Sequence, residues 1–352
     1  MTTSILIVLT GSLGDIARAL CLPAHIKGHY PESRITWLVE SRWEPLLSGH
    51  PYVDRTVVFE RTWRLGAIKD MLRQLRSDSC SIALDLQRIL KSGLLSRASG
   101  ARRRIGFHPG NAKEFNWIFN NEYIGRYDDR LPKLQHYLKF AEHLGVPAPS
   151  DLNFGLPAQK ADRTAGCGSV RTPYIAIVMG SSRASKDWRL EGYAELIAGI
   201  LASGSHRVVL VGDQMQATAA RRLTERMNTD LVIDMVDRTS LQQLVNILAC
   251  AEAAVGPDTG VGHLAAAVKT PYVTLMGPTA PERVAPYGCE HLVVKSNAPC
   301  APCGRKNCPQ PEYDCMGAIG AEAVFNMLST ALGQSSANRI KDKGKVLRGY
   351  YR

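Results

Sequence analysis

The stretch AAVGPDTGVGHLAAAVKTPYVTLMGPT, Ala253 to Thr279, constrains this chain more than any other. It reads as a buried strand, a Gly/Asp-rich turn, a short apolar helix, a second strand and a Gly-Pro turn. A strand joined through a helix to the next strand belongs to a parallel sheet with helices on its faces. The turn carries Asp258, Thr259 and Gly260, and His263 lies one turn into the helix. A helix start leaves backbone N–H groups free and carries partial positive charge, which suits a phosphate or pyrophosphate. Gly260 and Gly262 allow close backbone approach, and Asp258 and Thr259 offer hydrogen bonds to sugar hydroxyls. An ordinary strand-to-helix connection needs a glycine, but not an Asp, a Thr and a His together.

The same alternation runs through the rest of the chain. Strands are expected at Ile5–Leu9, Ile35–Val39, Thr56–Phe59, Ser81–Leu86 and Arg104–Phe107. Helices are expected at Asp15–Lys27, Leu65–Arg76, Ile89–Ala98 and Lys133–Leu144. Pro147–Thr172, rich in Pro, Gly and Ser, reads as a linker. A second series has strands at Tyr174–Val178, Arg207–Val211, Leu231–Ile233, Ala253–Val255, Tyr272–Leu275 and His291–Val294. Its helices are expected at Leu190–Leu201, Met215–Met227, Ser240–Cys250, Val261–Val268 and Ala321–Leu332. This divides the 352 residues into domains at 1–160 and 161–332, followed by a polar tail at 333–352.

The net charge of +11 is unevenly spread. Residues 1–160 hold 22 Lys/Arg against 15 Asp/Glu, while 161–338 hold 15 against 16. The tail from Arg339 holds six against one. An anionic partner is therefore expected at the first domain and the tail rather than at the Asp258 turn. No apolar run is long enough for a membrane span, and the N-terminal apolar stretch is too short for a signal peptide, so a cytosolic location is the default. Of nine cysteines, Cys300, Cys303, Cys308 and Cys315 cluster as C-x2-C-x4-C-x6-C. In a reducing compartment this reads as a structural zinc clip, an iron–sulfur site, free thiols or a redox pair.

Two further turns carry chemistry. TGSLGDI places Asp15 just after the first strand, at a helix start. A carboxylate there would repel a pyrophosphate; it suits a general base, or it caps the helix. GSSRASKDW places Ser181, Ser182, Arg183 and Lys186 after the first strand of the second domain. Hydroxyls and an ammonium suit the oxygens of a departing diphosphate; the alternative is a solvated loop. No G-x-G-x-x-G or G-x-S-x-G is present, no H-x-x-x-H or H-E-x-x-H metal pair is expected, and no D-x-D follows a strand, so a catalytic divalent metal is not indicated.

These three stretches, with DLQRILKSGLLSRASGARRRIGF from Asp85 to Phe107, resemble glycosyltransferase family 9, the lipopolysaccharide heptosyltransferases. The resemblance implies an α/β GT-B fold: two Rossmann-like, doubly wound domains facing across a cleft, acceptor on the first and donor on the second. It implies inverting, metal-independent transfer of heptose from ADP-heptose, or a related nucleotide sugar, to the lipopolysaccharide inner core. Asp15 matches the catalytic base, and Ser181, Ser182 and Lys186 match the donor-phosphate loop, with Lys186 counted as catalytic. Asp258, Thr259, Gly260 and His263 match the donor turn, and Gly212 and Asp213 fall where the nucleoside should lie. Gln87, Lys91 and Ser92 match acceptor positions. No cofactor is required; a structural zinc on Cys300, Cys303, Cys308 and Cys315 stays open. The implied partners are the nucleotide sugar, the core acceptor and the anionic inner face of the cytoplasmic membrane, with no nucleic acid. Alternatives are a GT-B enzyme using another nucleotide sugar for O-antigen or surface glycan, a nicotinamide-dependent oxidoreductase, and a catalytically silent glycan-binding protein.

Overall fold

The computed structural model describes residues 3–61, 65–156, 173–309 and 314–333. The chain divides into two compact units, Met1–Leu156 and Pro157–Arg352. The first unit holds β1 (Ser4–Val8), β2 (Arg34–Glu40), β3 (Arg55–Phe59), β4 (Ile82–Asp85), β5 (Arg103–Gly106) and β6 (Glu122–Tyr123). All pair in parallel, in the order β3-β2-β1-β4-β5-β6. β1 is an unbroken apolar run after Ser4, and β4 is apolar up to buried Asp85, because both faces are covered. The amphipathic helix Leu65–Ser77 lays Met71 and Leu75 against Leu6, Val8, Leu38, Val57 and Phe59.

The second unit repeats this plan. It holds β7 (Tyr174–Val178), β8 (Arg207–Val211), β9 (Val232–Asp234), β10 (Ala253–Pro257), β11 (Tyr272–Met276) and β12 (Val293–Lys295). The order β12-β11-β10-β7-β8-β9 is the same doubly wound arrangement, again wholly parallel. In each unit the winding reverses beside the first strand, between β1 and β4 and between β7 and β10. Loops leaving the carboxyl ends of those strands diverge there and leave room for a ligand.

Departures from the expected elements are small and have local causes. The single helix expected at Asp15–Lys27 forms as Leu13–Ala19 and Cys21–His29. Pro23 has no N–H to return to the Ala19 carbonyl, so the hydrogen-bond ladder is interrupted there. The helix expected from Met215 starts as a 3-10 turn, Gln214–Gln216, before Ala217–Met227. The edge strand β6 is two residues long, too short to leave an alternating pattern. Cys250 is disulfide-bonded. The basic tail from Arg339, and most of the expected linker, lie outside the described residues.

Candidate active site

In the first unit, Ser12 stands at the start of the helix Leu13–Ala19 and Asp15 lies in its first turn. Asp15 is therefore not the cap; it sits where a carboxylate favours the helix dipole. Its Oδ2 accepts from Ser12 Oγ at 3.0 Å, and Oδ1 faces Arg18 Nη1 at 3.2 Å and Lys133 Nζ at 3.4 Å. Burial would raise its pKa, but Lys133 and Arg18, with hydrogen bonds from Ser12 and Tyr137, hold it below the ordinary 3.8. The carboxylate is ionised at neutral pH, and its side chain remains 25% exposed.

Gln87 clamps the turn that carries this residue. Its Oε1 accepts from Thr10 N at 3.1 Å and Thr10 Oγ1 at 2.9 Å, and its Nε2 donates to the Gly11 carbonyl at 3.0 Å. Gln87, expected on the acceptor side, thus positions this turn. Lys91 points to buried Glu40, 3.4 Å away, and lies over the Phe59 ring. Arg42 and Arg61 share that carboxylate at 3.1 and 3.2 Å, so three cations surround one anion. The expected acceptor contact of Ser92 is corrected: Ser92 is fully buried, donates to the Ile89 carbonyl at 2.9 Å and accepts from Asn116. It belongs instead to the packing around buried Asp85, which accepts from Asn116 at 2.6 Å.

In the second unit, Lys186 ends a 3-10 turn after β7, and its Nζ lies 2.5 Å from Asp258 Oδ2 after β10. The pair bridges the two loops at the winding reversal. Thr259 holds the cap position of the helix Gly260–Ala267, and its hydroxyl makes no cap bond. His263, in the same helix, is buried. Gly262 has a different reason from the one expected. A Cβ there would stand 2.6 Å from the Tyr272 ring, so the glycine serves the packing of a buried tyrosine rather than a ligand's approach.

The neighbouring loop is closed on itself. Ser181 Oγ donates to the Arg183 carbonyl at 2.8 Å and accepts from Arg183 N, while Ser181 N donates to Asp187 Oδ1. Ser181 therefore shapes the loop, and exposed Ser182 keeps its side chain at the surface. Asp213, expected near the nucleoside, caps the following turn by accepting from Met215 N at 2.9 Å. Gly212 precedes it at the end of β8, and its carbonyl accepts from Asp237 N.

Cys300 is half-buried, Cys303 and Cys308 are exposed, and Cys315 is buried. Burial raises the Cys315 thiol pKa, followed by the nearby Cys300 and Cys303. Yet among the described residues no three His, Cys, Asp or Glu side chains are arranged to hold a metal. The segment is tied to the Lys186 loop through Ser185 Oγ and the Lys306 carbonyl at 2.9 Å. Contrary to the expectation of no H-x-x-x-H pattern, His25 and His29 form such a pair; with Asp151 it lines a cavity of about 350 Å³.

Residues 68–314 match the sequence profile of glycosyltransferase family 9 (heptosyltransferase). The chain belongs to that family. It is 29% identical over 317 residues to lipopolysaccharide heptosyltransferase 1 of Pseudomonas aeruginosa, covering 86% of this chain and 87% of that protein. It is 27% identical over 290 residues to the lipopolysaccharide core heptosyltransferase OpsX of Haemophilus influenzae, covering 81% and 82%. The structure of E. coli heptosyltransferase WaaC with ADP superposes with a TM-score of 0.78 at 23% identity, covering 94% of this chain and all of that one. The family-9 enzyme therefore has the two Rossmann-like α/β units of the GT-B fold. Asp15 lies before the residues that the profile matches.

Lys133 and Tyr137, which hold Asp15, carried no motif. The signal that could have found them is a cation at the first position of a helix, where the dipole disfavours it. Such a residue needs an anionic partner, and a tyrosine four positions on lies on the same face. Glu40 leaves no sequence signal, because the cations that surround it come from three separate segments.

Proposed function

We propose that this enzyme transfers heptose from ADP-heptose to the inner core of lipopolysaccharide, with inversion and without a catalytic metal. The observation that carries this is the Lys186–Asp258 pair beside an uncapped helix start at the winding reversal. A diphosphate finds there an ammonium and the positive end of a helix whose cap side chain makes no bond, and Asp258 fixes the ammonium until it does. Family membership and the named activities of the relatives support heptose as the group moved. The excess of Lys and Arg in the first unit, with Arg42, Arg61 and Lys91 around one carboxylate, supports an acceptor bearing acidic sugars or phosphates.

In this reading the Asp15 carboxylate takes the proton of the acceptor hydroxyl. That oxygen bonds to the anomeric carbon as the carbon–oxygen bond to ADP breaks, and ADP leaves with the electron pair. Charge grows on the diphosphate in an oxocarbenium-like transition state, where Lys186 and the helix start stabilise it most. Ser182, Thr259, Gly260 and His263 complete the donor surface, with Gly212 and Asp213 toward the nucleoside.

The enzyme works at the inner face of the cytoplasmic membrane, held by charge. No described helix is long and apolar enough to cross a membrane, and the basic tail supplies up to ~1 kcal/mol per cation near an anionic surface. Incubation with ADP-heptose and a heptose-free core acceptor should release ADP and add one heptose, read by mass spectrometry. Consumption of a different nucleotide sugar, with none of ADP-heptose, would overturn the assignment.

A further inference from the structure

A general base works best when its pKa lies near the working pH. Asp15 departs from this, because two cations share its Oδ1, Arg18 at 3.2 Å and Lys133 at 3.4 Å. Ser12 Oγ donates to Oδ2, and the Tyr137 hydroxyl bonds the same carboxylate. These groups, from its own helix turn and from the helix Lys133–His143, are the charged and titratable partners that face it. They differ in freedom. Arg18 is 8% exposed and Tyr137 is buried, whereas the Lys133 side chain is 34% exposed. Lys133 also stands at the first position of its helix, where the backbone dipole disfavours a cation and a nearby carboxylate offsets that cost. An incoming anion at the exposed side competes directly for that ammonium.

We propose that Lys133 couples the charge of the acceptor to the strength of the base: an anionic acceptor draws the ammonium off Asp15, and the carboxylate becomes a stronger base only in the complex. Lys133 acts through Asp15 and touches no reacting atom. The coupling rests on the reading of an anionic acceptor given above. It would leave ADP-heptose protected from attack by water while no acceptor is bound, because the base is then weak.

The test uses the full chain and deacylated lipopolysaccharide core oligosaccharide. Losing one adjacent cation raises a carboxylate pKa by about one unit or more. The Asp15 titration, isolated as the infrared carboxylate difference between wild type and Asp15→Asn, should move up by about one pH unit in Lys133→Met. Adding the oligosaccharide should move wild type up by a similar amount and Lys133→Met hardly at all. In turnover, the acid limb of kcat should lie about one unit above that of kcat/KM in wild type and Lys133→Arg. The two limbs should coincide in Lys133→Met. An Asp15 midpoint that Lys133→Met leaves in place, or a uniform loss of kcat with no shift of either limb, overturns the proposal. Failure of heptose transfer with the midpoint still moving counts against the functional reading and not against the coupling.

Discussion

Lys186 and Asp258 offer a perturbation in which stability and catalysis should separate. Their charges are 2.5 Å apart, with side chains 16% and 9% exposed, so solvent screens them little. At an effective dielectric of ~20 two unit charges at that distance attract by roughly 7 kcal/mol, most of which desolvation offsets. Removing one partner is different, because the other charge stays buried and unpaired; that costs about 3–5 kcal/mol in a dry interior, and about 2–4 kcal/mol at this partly open loop. Lys186→Met should therefore lower the melting temperature of the second unit by roughly 4–16 °C, given about 2–4 °C per kcal/mol for a unit of that size. Lys186→Met combined with Asp258→Asn removes both charges and should recover most of that loss. Turnover should not recover, since leaving-group charge is then unopposed; a loss of ~10²-fold or more in kcat is expected in both variants, with a smaller loss of ADP affinity. Calorimetry and steady-state kinetics on wild type, Lys186→Met, Asp258→Asn and the double variant read the cycle. A double variant that melts no higher than Lys186→Met would refute the buried-pair argument. One that regains wild-type kcat would make Lys186 a structural residue.

Gly262→Ala should destabilise the second unit by about 1–3 kcal/mol, because its methyl would stand 2.6 Å from the Tyr272 ring; Gly262→Ala with Tyr272→Phe should be no better, since the ring remains. Activity should survive EDTA, and loss on chelation restored by magnesium or manganese would contradict metal-independent transfer. Elemental analysis of protein purified under reducing conditions decides the zinc question at Cys300, Cys303, Cys308 and Cys315: bound zinc at one equivalent would show that the thiols close around a metal, and none would end the idea. Deleting residues 338–352 should weaken sedimentation with anionic vesicles at low salt and leave turnover on a soluble acceptor unchanged; equal vesicle binding would shift that role to the basic first unit.

The strands were legible because both sheets are parallel and buried on both faces, so runs such as Ile5–Val8 and Tyr174–Val178 stand out as continuous apolar segments. The order of the strands was not, since it depends on which buried runs pair across long connections. At the candidate site the place of Asp15, Lys186 and Asp258 in turns after strands was legible. Their partners were found less well. Gln87 and Asp213 bind backbone in ways that motif position alone does not reveal. Ser92 failed because its helix turns that position inward, a question of facing that a short, weakly amphipathic helix leaves open. Glu40, with cations from 42, 61 and 91, is assembled only by the tertiary fold.

Single-turnover transfer from ADP-heptose to a core acceptor, wild type against Asp15→Asn, tests the base most directly. Asn keeps the shape of the side chain but loses the charge paired with Arg18 and Lys133, so a stability loss of about 1–2 kcal/mol is expected and the assay belongs well below the melting temperature. The expected result is a rate lower by ~10²–10⁴ with ADP-heptose affinity nearly unchanged. Retention of more than about half the wild-type rate would place the base elsewhere and leave Asp15 as a residue that only steadies the turn.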